Sequence, residues 1–162
     1  VGGARIRRTR KGDFELRLPR AERDVLRTLP SQLRALLRSD DPALERLFPP
    51  AYAEDPELEE EYRRLVREDL VASRQSSLDV MESTIDATRL DEEKVLAWLG
   101  ALNDLRLVLG TRLEVTEDLY EKGLPQDDPR APAFAVYGYL GWLQEQVVEA
   151  LAAGVDPAGS RG

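Results

Sequence analysis

Glu57 and Glu60 sit three residues apart in the acidic run Glu57-Leu58-Glu59-Glu60-Glu61, a spacing that sets two carboxylates on one face of a helix. Pairs of this kind suit magnesium, which prefers carboxylate and water oxygens. A magnesium-dependent all-α nucleotide phosphohydrolase needs a second acidic motif on a neighbouring helix, and Asp91, Glu93 or Glu117 would have to supply it. Those residues make no clean motif, and carboxylates in the first turns of a helix already complement its dipole. A ferritin-like di-iron site needs Glu-x-x-His pairs. The chain has no histidine and no cysteine, so the commonest general base, the thiolate nucleophile and the usual zinc ligands are all missing. Neither a glycine-rich phosphate loop nor a Gly-x-Ser-x-Gly elbow occurs. The expectation is a protein with no catalytic residues, no metal and no cofactor. The phosphohydrolase is the enzymatic alternative.

Charge offers a second kind of chemistry. Arg5, Arg7, Arg8, Arg10, Lys11 and Arg17 crowd the N-terminus. Residues 1–38 hold 11 basic against 4 acidic side chains, and residues 39–162 hold 12 against 27, for a net charge of −8. Such a split predicts a surface with two electrical faces. A basic β-ribbon can grip the phosphates of a nucleic acid. The overall negative charge repels a polyanion, however, and Phe14 is the only aromatic ring there for stacking a base. Direct nucleic-acid binding is therefore disfavoured. Docking of the basic residues onto an acidic protein partner, or onto the acidic part of the same molecule, is the preferred reading.

The polar residues Asn103, Asp104, Arg106, Gly110 and Arg112 punctuate an otherwise apolar helix, with Asn103, Arg106 and Gly110 along one stripe. Buried polar groups must find partners, because each unpaired one costs about 1–3 kcal/mol. The stripe is either a hydrogen-bonded strut or the lining of a binding pocket. On the last helix, Tyr139 and Trp142 lie on a different side from Phe134, Tyr137, Val148 and Leu151. That helix is either central or shows one face to a partner or a second copy, so a homodimer is one reading.

These residues must be positioned by a mainly α fold: a compact bundle of four to five helices with an N-terminal β-hairpin. Phe14, Leu16 and Leu18 alternate with Glu15 and Arg17, the period of a half-buried strand. With Lys11-Gly12-Asp13 as a three-residue turn, Ile6 would face Leu18 and Arg10 would face Phe14. Pro19 starts a first helix whose Leu26, Leu29, Leu33, Leu36 and Leu37 recur at helical spacing, and Pro30 should kink or interrupt it. Asp41-Pro42 opens a short helix over 43–47. Asp55-Pro56 opens a long one, whose apolar stripe begins with Leu58, Tyr62, Leu65 and Val66 and thins around residues 73–77. Asp91 caps a helix over 92–109 that is apolar nearly all round, hence central, and Gly110 should end it. A short turn is expected over 117–120 and a last helix over 130–151. The chain reads as one domain over 1–152, hairpin at 4–18, followed by a disordered tail over 153–162. No apolar run approaches the roughly 20 residues of a membrane span, and Val1-Gly2-Gly3-Ala4 carries no signal-peptide core. A cytoplasmic location is expected.

The 101–113 stretch, Ala-Leu-Asn-Asp-Leu-Arg-Leu-Val-Leu-Gly-Thr-Arg-Leu, preceded by Arg89-Leu90-Asp91-Glu92-Glu93, resembles the central signature of an actinobacterial family. This is the domain of unknown function DUF2017, also labelled oxidative-stress regulator AosR-like. The basic residues 5–10, the segment Asp41-Pro42-Ala43-Leu44, and Tyr137 with Trp142-Leu143-Gln144-Glu145 are similar to the same family. The resemblance covers nearly the whole chain. It implies a cytoplasmic stress-response regulator that works by binding another protein, a sigma factor or other transcription component, and it brings no catalytic residues. One departure follows from composition: without cysteine this sequence cannot sense oxidants by forming a disulfide.

Overall fold

The computed structural model describes residues 3–153, with the backbone alone at Tyr120. Strands β1 (Ile6–Arg8) and β2 (Phe14–Leu16) form the expected hairpin, but in a different register, with Ile6 opposite Leu16 and Arg8 opposite Phe14. The turn is Arg10-Lys11-Gly12. Thr9 N–H donates to Asp13 O at 2.8 Å, and Gly12 N–H to Thr9 O at 3.1 Å. Gly12 has φ +92°, a conformation glycine takes without a Cβ penalty, and this seats it at the end of the turn instead of the middle. The pairing moves by two residues, an even number, so Ile6, Phe14, Leu16 and Leu18 all keep their buried face. A third strand, β3 (Arg89–Leu90), was not expected. It pairs antiparallel with β2, Leu90 opposite Phe14, and supports a ribbon that would be marginal alone.

Helix α1 (Arg20–Leu37) runs through Pro30 without the expected interruption. Leu26, Leu33 and Leu37, on both sides of the proline, are buried in the core. Their burial, at about 1.5–3 kcal/mol each, outweighs the roughly 3 kcal/mol cost of a proline in a helix interior. A 3-10 helix (Pro42–Arg46) follows, where Asp41 Oδ1 accepts the Ala43 N–H at 2.8 Å.

Helix α2 (Pro56–Ser83) is capped by Asp55, which accepts from Leu58 N–H at 3.2 Å. Its expected opening stripe does not enter the core. Leu58 and Leu65 are 45% and 68% exposed, and full burial comes only at Leu78 and Met81. Neither leucine is turned toward the rest of the bundle, because the core side of α2 lies along Leu70, Leu78 and Met81.

Helix α3 (Glu92–Arg112) is the central rod, packed on α1, α2, the 3-10 helix and α5 (Ala131–Ala152). Asp91 caps it through the Lys94 N–H at 2.8 Å. The helix does not stop at Gly110. It ends at Arg112 in a Schellman turn, with Val115 N–H on Gly110 O at 3.0 Å and Glu114 N–H on Thr111 O at 3.1 Å. Glu114, with φ +55°, occupies the left-handed position usually given to glycine. Gly110 is held inside the helix for another purpose, the close passage of Tyr137. Helix α4 (Glu117–Lys122) is one short element, started by Thr116. Helix α5 begins after Arg130, whose N–H donates to Asp128 Oδ1 at 2.8 Å. Of the expected C-terminal tail, Ala153 closes α5, and residues 154–162 lie outside the described residues. Among the described residues, no helix is long and apolar enough to cross a membrane.

Candidate functional site

Four of the six basic hairpin residues are occupied by the chain itself. Arg5 Nε and Nη2 donate to Glu22 on α1 at 2.9–3.1 Å, and its guanidinium lies 5.1 Å from the centre of the Trp142 ring. Arg8 lies over Phe14 at 4.6 Å, and its Nη2 is 3.3 Å both from Glu92 Oε1 and from Leu151 O. Arg7 and Arg17 both approach Glu15. Arg10 and Lys11 are exposed at the turn and form no ion pair among the described residues. The free positive charge of the ribbon is therefore concentrated at its tip.

The two α5 aromatics proposed as a partner face stand beside this ribbon. Tyr139 OH donates to Glu22 Oε1 at 2.8 Å, and burial together with that carboxylate raises the phenol above its ordinary value. Trp142 is 40% exposed, 6.0 Å from the Tyr139 ring and partly roofed by Arg5. Glu22 joins the hairpin, α1 and α5 at one point. Sequence alone did not single it out, since Glu22 reads there as a first-turn carboxylate.

The polar stripe of α3 splits between two neighbours. Toward α5, Gln144 bridges Asn103 and Arg106: its Nε2 donates to Asn103 Oδ1 at 3.3 Å, and Arg106 Nε donates to its Oε1 at 2.9 Å. A Cβ added at Gly110 would lie 2.8 Å from Tyr137 Cε1. Toward α2, buried Asp104 takes a hydrogen bond from Arg74 Nη1 at 3.1 Å. Arg112 Nη2 reaches Asp41 Oδ2 at 3.2 Å, tying α3 to the 3-10 helix. These residues span helix interfaces, as a strut does. Arg74 and Gln144 carry no local signal in the sequence, because each is recognisable only once its opposite helix is in place.

The acidic residues do not converge. Glu57 and Glu60 are exposed on the first turns of α2, and Asp91 and Glu93 start α3. Among the described residues, no group of three or more acidic side chains is placed to share a cation. A hollow of about 560 Å³ between α2 and the 3-10 helix is bordered by Arg63 and Arg67 but also by Asp40, Asp41 and Glu45. Arg67 lies over Phe48 at 4.4 Å. With both signs on its walls, the hollow does not select an ion of either charge.

A family profile described as "Domain of unknown function (DUF2017)" matches residues 3–151. The chain belongs to this family. The DUF2017 chain is 33% identical over 133 residues to the "Putative oxidative stress regulator AosR" of Mycobacterium leprae, covering 72% of this chain and 61% of that one. It is equally 33% identical over 129 residues to the "Oxidative stress regulator AosR" of Mycobacterium tuberculosis, covering 68% and 58% respectively. It thus spans about six-tenths of the length of the curated relatives it matches. No solved structure matches it significantly.

Proposed function

We propose that this DUF2017 chain is a non-enzymatic regulatory protein of the stress response that acts by binding another protein, with a sigma factor or another transcription component as the partner. The observation that carries the reading is the 33% identity to relatives named as oxidative stress regulators, extending over about seven-tenths of the chain. The scattered placement of the acidic residues supports it, and so does the charged hairpin tip, where Arg10 and Lys11 are free to meet an acidic partner surface. Within this sequence an oxidant has no thiol to act on, and Met81, the only sulfur, is fully buried. Regulation then lies in contacts and not in redox chemistry of this chain. Affinity capture from a native actinobacterial lysate tests the reading. A sigma subunit or another RNA polymerase component should be retained by the chain and lost on Arg10→Glu/Lys11→Glu. Recovery of no transcription component, together with magnesium-dependent nucleotide turnover by the purified chain, would replace it with the phosphohydrolase.

A further inference from the structure

The first half of α2 leaves two leucines in water. Leu65 is the most exposed large apolar side chain among the described residues, at 68%, and Leu58 follows it on the same helix at 45%. Seven residues are two turns less about 20°, so the two side chains stand on one line, and exposed Ala72 continues it another two turns. One turn on from Leu58, half-buried Tyr62 meets the ring of exposed Tyr52 edge-on at 5.9 Å. Single exposed leucines are ordinary on a protein surface, but leucines aligned along a helix make a seam.

The flanks of the seam are acidic. Glu57, Glu61 and Glu68 run along one side and Asp69 lies on the other; all are exposed, and none forms an ion pair among the described residues. Arg64, an exposed cation, stands at the edge of that outer surface. Two copies of this face laid together would oppose Glu61 and Glu68 to their own like, which disfavours self-association through it. A helix with an apolar line between lysines or arginines matches both features at once.

We propose that the Leu58, Leu65 and Ala72 line of α2 is a docking surface for a basic amphipathic helix of a partner protein. This rests on the reading of the chain as a protein-binding regulator and adds the acidic counterpart to the basic hairpin tip. The seam is about 21 Å long at 1.5 Å per residue. One helix laid on it falls at the small end of specific interfaces, which makes the contact weak, quickly reversed and sensitive to salt.

The probe is a synthetic helical peptide with leucine on one line and lysine on both flanks, with a glutamate-flanked counterpart as control. Fluorescence anisotropy with the full chain should show binding of the lysine peptide that weakens as salt rises, and none of the glutamate peptide. Leu58→Ser/Leu65→Ser and, separately, Glu61→Lys/Glu68→Lys should each weaken it by roughly tenfold. Both variants should melt with the parent, because the altered side chains are exposed. An affinity unchanged by the serine pair overturns the proposal, as does a dimer of the parent chain in light scattering that the serine pair abolishes. If lysate capture still retains a transcription component on the serine variant while peptide binding is unaffected, the surface assignment fails and the regulatory reading stands. If peptide binding maps to the seam but capture returns no such component, the reverse holds.

Discussion

Arg74 on α2 reaches Asp104 on α3 with its Nη1 3.1 Å from Asp104 Oδ1, and that carboxylate is the only charged group fully buried among the described residues. Its second oxygen, Oδ2, has no hydrogen-bond partner among the described residues. Burial pushes the Asp104 carboxyl up from 3.8 to about 6, with Arg74 opposing the rise. A value raised in the folded state means that the protonated form is favoured there. The stabilisation is complete below the ordinary carboxylate value and is lost as pH rises through about 6. No histidine titrates in that window. Urea unfolding should therefore show stability falling between pH 5 and pH 7.5 by about 1.4 kcal/mol. Asp104→Asn should flatten the profile, and a variant whose curve keeps the parent's slope would assign the titration elsewhere.

Glu22 behaves in the opposite sense. Burial pushes its carboxyl up, but the hydrogen bonds from Arg5 and Tyr139 more than offset this and hold it below the usual glutamate value. Its contribution is present above the unfolded value near 4.5 and is lost as pH falls through the lowered one. Glu22→Gln should cost about 1–3 kcal/mol near neutrality, the scale of hydrogen bonds to a charged group. The gap to the parent should close toward pH 3. Thermal unfolding at the two pH values checks this, and a loss of equal size at both would mean that charge is not what holds the clasp.

Much of this architecture could be read locally. Asp41, Asp55 and Asp91 each accept a hydrogen bond from a backbone N–H within three residues, so the helix starts they mark are written in adjacent letters. The hairpin strands could be read for the same reason. Its register was not, because either Lys11 or Gly12 could be placed at the centre of the turn, and the left-handed φ of Gly12 decides between them only in three dimensions. Strand β3 has two residues and no period to detect. The α3 stripe was visible as polar letters in an apolar helix. Its partners Arg74 and Gln144 lie 30 and 38 residues from the groups they bind, Asp104 and Arg106, on helices whose rotation no local pattern sets. The exposure of Leu58 and Leu65 was missed because an apolar stripe records only what could be buried. What covers it depends on the reach of neighbouring elements.

Thr84, half-buried, and Trp98, buried, form a polar joint between the end of α2 and α3. Trp98 Nε1 donates to Thr84 Oγ1 at 2.7 Å, and that hydroxyl donates onward to Val80 O at 2.6 Å. Thr84→Val keeps the shape but leaves the indole N–H of a ring that is 1% exposed without an acceptor. A loss of about 1–3 kcal/mol in chemical denaturation is expected. Thr84→Ser, which retains the hydroxyl, should lose clearly less. Equal losses in the two variants would locate the effect in the missing methyl packing.

Gly110 and Tyr137 set how closely α3 and α5 approach. A Cβ at position 110 would stand 2.8 Å from Tyr137 Cε1, closer than real Cβ contacts come, so the ring or the helix must shift. Two effects then oppose each other in Gly110→Ala: alanine gains roughly 1 kcal/mol of helix propensity, while overpacking costs about 1–3 kcal/mol. In the parent background the substitution should be destabilising, because Gly110 is buried in the central helix and the ring lies against it. In a Tyr137→Ala background the obstruction is gone and only the propensity gain remains, so the same substitution should become stabilising by up to about 1 kcal/mol. The sign change is the test. A double-mutant cycle by urea denaturation should return a coupling of at least 0.5 kcal/mol, the lower end for residues in contact. Additive effects would mean that α5 moves away freely and that the glycine does not set the spacing of the two helices.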